Sequence, residues 1–156
     1  MTNGYLEVIS LVERLHRSFL EVVKLELEGL QIHDINNVQG LMLFNIGDAE
    51  MTVGELILRG CYLGSNVSYN VKKMVENGYL EHERSAHDRR SVHVRLSEKG
   101  RKLRDRLTEM HHRHAETLSE IMSDENLQSV TATLRRLERF WIHTGGVIHR
   151  PGQHVA

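Results

Sequence analysis

With 156 residues, 40% of them hydrophobic and 26% charged, the chain can bury one core and is not compositionally disordered. A single cysteine, Cys61, excludes an internal disulfide framework, and no apolar run approaches the roughly 18 residues that span a bilayer. The net charge of −1 is unevenly spread: residues 1–51 carry three Lys/Arg against eight Asp/Glu, whereas residues 52–102 carry ten against six. A basic middle behind an acidic start suits a polyanionic partner, although charge alone fits an ordinary solvated surface as well. Met1 to Leu6 lacks the basic and apolar character of a signal peptide, so a cytoplasmic location is expected, with no membrane partner.

The first element expected is an amphipathic helix from Tyr5 to about Leu30, with Ile9, Val12, His16, Phe19, Val23, Leu27 and Leu30 at three- and four-residue steps. A second helix is expected over Ile35–Ile46, with Asp34 as its N-cap and Gly47 as its terminator. Thr52-Val53-Gly54-Glu55 is a capping box, opening a short third helix that closes near Gly60. A fourth begins at Gly64 or Ser65 and ends at Asn77-Gly78, so the pair forms a helix-turn-helix. Tyr79–Arg84 and Val92–Leu96 read as strands around a polar tip. Ser97 then caps a long helix with Leu103, Leu107, Met110, His114, Leu118 and Ile121 on one stripe. Ser123-Asp124 starts a last helix with Leu127, Val130, Leu134, Leu137 and Trp141 in the spacing of helix pairing. The fold class is therefore mainly α with a small β-hairpin wing. A single domain, 1–156, is expected, with a winged helix-turn-helix region over 35–100 flanked by long helices over 5–30 and 101–143.

The fourth helix has two faces. Val67, Val71, Met74 and Val75 make an apolar stripe, while Ser65, Asn66, Ser68, Tyr69, Asn70, Lys72 and Lys73 cover the rest. A helix entering a major groove needs short polar groups for base edges and lysines for phosphates. The hairpin adds Arg84, Arg89, Arg90 and Arg95, placed to reach a minor groove, with Asp88 positioned to brace Arg90. A solvent-facing helix and surface ion pairs would explain either piece separately, but the combination is far less expected by chance.

The run from Thr52 to Gly100 resembles the winged-helix domain of MarR-type transcriptional regulators. The resemblance rests on Thr52-Val53-Gly54-Glu55-Leu56, Val67-Ser68, Asn77-Gly78-Tyr79-Leu80-Glu81-His82-Glu83-Arg84, Asp88-Arg89-Arg90 and Val92-His93-Val94-Arg95-Leu96-Ser97-Glu98-Lys99-Gly100. It extends through the flanking helices to roughly residues 5–143. Gly60 to Asn70 is similar to an alphaproteobacterial branch that includes regulators associated with L,D-transpeptidase or photosynthesis-linked genes. Many relatives carry Arg where this chain has Tyr69, so base specificity does not carry over. The resemblance implies a homodimer on near-palindromic operator DNA, with 35–100 as the DNA-binding region and 5–30 and 101–143 as the dimerisation region. It also implies a small aromatic or acidic effector, whose candidate lining is His16, Arg17, Phe19, Leu43, Phe44 and Tyr62.

Eleven histidines raise the question of metal. His111 and His114 share a helix face at i, i+3, a workable two-ligand pair, but further ligands would have to come from His16, His33 or His143. Histidines of a helical dimer interface are the commoner explanation, so no metal or other cofactor is expected. Cys61 has no second cysteine to resolve an oxidised form. The sequence has no nucleophile–base pair or phosphate loop, and no enzyme is expected. The rival readings are a winged helix used for protein contact and a His-rich metal-binding or metal-sensing protein.

Overall fold

The computed structural model describes residues 2–60, 66–84 and 92–145. The chain divides into two compact units, Met1–Thr108 and Glu109–Ala156, taken in turn below.

The first unit opens on α1 (Thr2–Gly29), which begins three residues earlier than its apolar spacing suggests and buries only Val23 and Leu27. It ends in a Schellman motif, with Ile32 N–H donating to the Leu27 carbonyl and Gln31 N–H to that of Glu28. Gln31 takes the left-handed conformation there, at φ 58°. The second helix, α2 (Asn37–Ile46), corrects one expectation: its N-cap is Asn36, not Asp34. Asn36 Oδ1 accepts from Gln39 N–H at 2.8 Å, and Gln39 Oε1 accepts from Asn36 N–H at 3.0 Å. Asp34 is thereby left for a different task.

A two-residue strand, β1 (Met51–Thr52), leads into α3 (Val53–Gly60), and α4 (Asn66–Glu76) follows. The Thr52/Glu55 capping box is present, each side chain holding the other's backbone N–H at 3.1 Å. The end of α4 is also as its residues dictate. Gly78 sits at φ 81°, where Tyr79 N–H reaches the Met74 carbonyl and Gly78 N–H that of Val75. A side chain with Cβ would be strained at that φ, so Asn77-Gly78 stops the helix.

The sheet has the order β1-β3-β2, with β2 (Leu80–Arg84) and β3 (Val92–Leu96) antiparallel from Leu80↔Leu96 to Arg84↔Val92. Met51 and Thr52 pair with Val94 and His93 on the other edge of β3. The sequence gives no hint of this strand, because two residues carry no period. Met42, Leu43, Ile46, Leu56, Val67, Met74, Val94 and Leu103 close the core. The helix α5 (Glu98–Ser119) starts on Ser97, whose Oγ accepts from Gly100 N–H and donates to the Gly78 carbonyl.

The second unit takes over within α5 and contains α6 (Asp124–Gly145). Ser123 caps α6, its Oγ accepting from Asn126 N–H at 3.2 Å. No described residue from 111 to 144 is buried, although Leu127, Leu137 and Trp141 are half-covered.

Candidate nucleic-acid interface

Helix α4 sorts its residues as its spacing predicts. Val67, Val71 and Met74 are buried, and Asn66, Ser68, Tyr69, Lys72 and Glu76 are exposed. At 100° per residue, Tyr69 and Glu76 lie opposite the buried stripe and so mark the outward centre. Tyr69 is 60% exposed. Lys73 sits 3.3 Å from the Glu76 carboxylate and 5.8 Å from the Tyr69 ring centroid. Of the two lysines, it therefore carries a counter-charge already. Asn70 is half-buried at the edge of this face, and its Oδ1 accepts from Gln39 Nε2 at 3.1 Å.

The wing stem differs in charge from a uniformly basic hairpin. Arg84 is exposed at the end of β2, but Arg95 is held by Glu81 at 3.1 Å and by Glu83 at 3.7 Å. These come together because Arg95 lies opposite Glu81 in the register. The hydrogen bond to Glu81, then the charges of Glu83 and Glu81, push the Arg95 pKa up. Ser65, Asp88, Arg89 and Arg90 lie outside the described residues, as do Cys61 and Tyr62.

One carboxylate fastens the end of α4 to its neighbours. Asp34 accepts from the Tyr79 hydroxyl at 2.6 Å and from Lys99 Nζ at 2.9 Å, while its own carbonyl accepts from Asn77 Nδ2 at 2.7 Å. Lys99 Nζ also donates to the Asn77 carbonyl at 2.8 Å and lies 4.2 Å from the Tyr79 ring centroid. The turn after α4, the loop before α2 and the start of α5 are thus tied at one point. A second tie joins Arg104 of α5 to Asp48 in the loop after α2.

Burial raises the Asp34 pKa, but the bonds from Tyr79 and Lys99 and the charge of Lys99 outweigh it, so it lies below its usual value. Burial, then the bond to Asp34 and its charge, push Tyr79 up. A carboxyl depressed in the folded state stabilises above its unfolded pKa of about 3.9 and loses that contribution as pH falls through the folded value. The stability gap between wild type and Asp34→Asn is therefore expected to shrink as pH falls below about 5 and on through the folded value. Because Asp34 is 46% exposed, solvent screening should hold the gap near or below ~1 kcal/mol. Urea titrations across that range measure it; a gap independent of pH would show that the charge on Asp34 contributes nothing.

The effector candidates within the described residues are spread over two helices. His16 and Arg17 are exposed on α1, where Arg17 lies 3.8 Å from Glu13; Phe19 and Phe44 are half-buried, and Leu43 is in the core. A hollow of about 360 Å³ in the first unit is lined instead by Leu30, Ile32, Tyr79, Lys99, Lys102, Leu103 and Arg106. On α5, burial first and then the neighbouring His114 and His112 lower the pKa of His111. Among the described residues no group of three or more His, Cys, Asp or Glu is placed to hold a metal ion.

The reading of the sequence left out the Asn70–Gln39 bond and the Asp34 junction. A signal for the first was available: Asn36-x-x-Gln39 is itself a capping-box pattern, and it fixes where Gln39 points.

Two packed helices, the second polar outward, followed by a two-stranded stem make a winged helix-turn-helix, the architecture of DNA-binding regulators. Residues 35–100 match the winged helix DNA-binding domain family. Across 138 residues the chain is 40% identical to the exopolysaccharide II synthesis transcriptional activator ExpG of Rhizobium meliloti, covering 88% of this chain and 71% of that protein. Its fold is similar to that of FabT of Streptococcus pneumoniae, solved in complex with DNA, with 24% identity, a TM-score of 0.73, and coverage of 89% and 98% of the two chains. The S. aureus MepR–DNA complex gives 20% identity, a TM-score of 0.70, and coverage of 83% and 94%. The chain belongs to the MarR family of winged-helix regulators and is a sequence-specific DNA-binding transcriptional regulator. Among the described residues no helix is long and apolar enough to cross a membrane.

Proposed function

We propose that the chain acts in the cytoplasm as a homodimer, each subunit laying α4 in a major groove and its wing in the adjoining minor groove. Twofold symmetry then calls for a near-palindromic operator with half-sites about one helical turn apart. The observation that carries this reading is the outward face of α4, with Tyr69 at its centre and Asn66, Ser68 and Lys72 around it. A phenol there suits a phosphate or a thymine methyl. FabT and MepR, whose folds this chain shares, have been solved with DNA, which supports the same use here. Ser65, next to α4 in the sequence, and Arg84, Asp88, Arg89 and Arg90 of the wing motif complete the interface in this reading, with Arg90 as minor-groove probe and Asp88 as its brace. A small aromatic or acidic effector, bound near His16, Arg17, Phe19, Leu43, Phe44 and Tyr62, would modulate binding.

The charge pairs on α4 make the reading testable. Lys72→Ala should lower the slope of log affinity against log salt by about one, the signature of a lost phosphate contact. Lys73→Ala should lower it less, because Glu76 already neutralises part of that charge. Glu76→Gln should tighten binding a few-fold without altering sequence preference, and Tyr69→Ala should cost about tenfold. Fluorescence anisotropy on DNA fragments retained by the wild-type protein reads all four. Unchanged affinity in both Tyr69→Ala and Lys72→Ala would exclude α4 as the reading helix.

A further inference from the structure

Gln39 is 6% exposed, one of two buried polar or charged residues among those described. Its carboxamide makes two hydrogen bonds of opposite sense, and their order is chemically forced. A backbone N–H can only donate, so the Gln39 atom 3.0 Å from Asn36 N is the oxygen, Oε1. The other end is then Nε2, a donor, and it faces Asn70 at 3.1 Å. Asn70 must answer with Oδ1, which makes the other atom of its carboxamide, Nδ2, a donor. Asn70 follows Asn66 by one helical turn and precedes Lys73 by three residues, so the three line one edge of α4's exposed face.

We propose that Gln39 is a positioning residue that sets the polarity of Asn70 on the reading helix, so that Asn70 presents a hydrogen-bond donor to the groove. An asparagine free to turn offers either a donor or an acceptor and discriminates poorly between base edges. One held by its oxygen selects edges with acceptors: guanine O6 and N7, adenine N7 or thymine O4. The relay starts at the N-cap amide of α2 and ends at the base-reading surface. Asn70 thereby becomes a specificity-determining residue. The inference rests on α4 being the groove-reading helix.

Gln39→Glu isolates this role from simple capping. A glutamate at the same position keeps the bond from Asn36 N–H and suits a helix start. Its second oxygen cannot donate, so Asn70 must turn, donate through Nδ2 and present Oδ1 outward. Base preference is read by sequencing DNA retained from a randomised pool by the full-length protein. The expected result is a change of about tenfold in relative enrichment at one base pair of each half-site, toward the donor-bearing edges of adenine N6 or cytosine N4, with the other positions preserved. Asn70→Asp, which still accepts from Gln39 but shows oxygen outward, should move the same base pair the same way; its side chain lies near the surface, so it keeps the test open if the buried substitution unfolds. In an Asn70→Leu background, Gln39→Glu should have no effect on preference. Uniform weakening across all positions, or a shift that survives Asn70→Leu, would overturn the relay. If Tyr69→Ala and Lys72→Ala leave both affinity and preference unchanged, α4 itself is excluded as the reader, a failure distinct from one confined to Gln39.

Discussion

Gly100→Ala is expected to destabilise the protein by about 1–2 kcal/mol, although the residue lies in a helix where alanine is ordinarily favoured. Two effects of opposite sign compete. Replacing a helical glycine gains up to about 1 kcal/mol from backbone entropy. A Cβ at this site, however, would drive into the Tyr79 carbonyl oxygen and lie 3.2 Å from its carbon and 3.4 Å from Leu96 Cβ. Those atoms have little room to retreat: the Tyr79 carbonyl accepts from Ser97 N–H at 3.0 Å, and Ser97 is tied in turn to the Gly78 carbonyl. Forcing an extra carbon against fixed backbone costs roughly 1–3 kcal/mol, and because the overlap here is with a hydrogen-bonded carbonyl oxygen the cost falls in the upper part of that range, so the clash wins. Gly40→Ala supplies the contrast within the same core. Its Cβ would meet Val23 Cγ1 at 3.5 Å and Leu27 Cδ1 at 3.6 Å, ordinary contacts, and it should stabilise by about 0.5–1 kcal/mol. Thermal or urea unfolding of both variants decides the matter; equal shifts of the same sign would show that Gly100 is not a close-approach position.

The contrast also shows where the sequence was legible. Helix starts and stops were readable where one residue type satisfies a named backbone group: Thr52 with Glu55, Gly78 after Asn77, Ser97 and Ser123. Asp34 misled because aspartate and asparagine are equally good caps, and only the reciprocal partner, Gln39, chooses Asn36. The apolar stripe of α4 was readable from period alone. The state of the charges on α4 and on the wing stem was not, since Lys73 depends on Glu76 in the next turn and Arg95 on strand register. The Asp34 junction joins residues 34, 77, 79 and 99, and no local pattern announces a contact across such separations. What stayed hidden is mostly long-range polar pairing. It carries no periodicity and exists only once packing has brought the partners together.

Leu134→Glu is expected to dissociate the proposed dimer and with it abolish high-affinity operator binding. The helix α6 places Leu127, Val130, Leu134, Leu137 and Trp141 at three- and four-residue steps, yet none of them is buried in the single chain. Val130 and Leu134 remain 49% and 47% exposed, and Phe140 is 53% exposed on the same helix. A helix of 22 residues does not hold itself together in water by propensity alone; packing of an apolar face supplies most of its stability. An apolar stripe this long, in a regulator proposed to read twofold-symmetric DNA, is best covered by its own copy. A glutamate in its middle would bring a carboxylate into that interface, and a buried unpaired charge costs several kcal/mol. The expected rise in the dimer dissociation constant is on the order of 100-fold or more. Leu134→Met keeps volume and polarity and should leave assembly intact. Sedimentation across nanomolar to micromolar concentration measures the first effect, and anisotropy on a full palindrome and on a single half-site measures the second. Loss of affinity for the palindrome with half-site affinity retained would separate lost symmetry from lost reading. A Leu134→Glu protein that still sediments as a dimer at the wild-type concentration would place the subunit interface elsewhere.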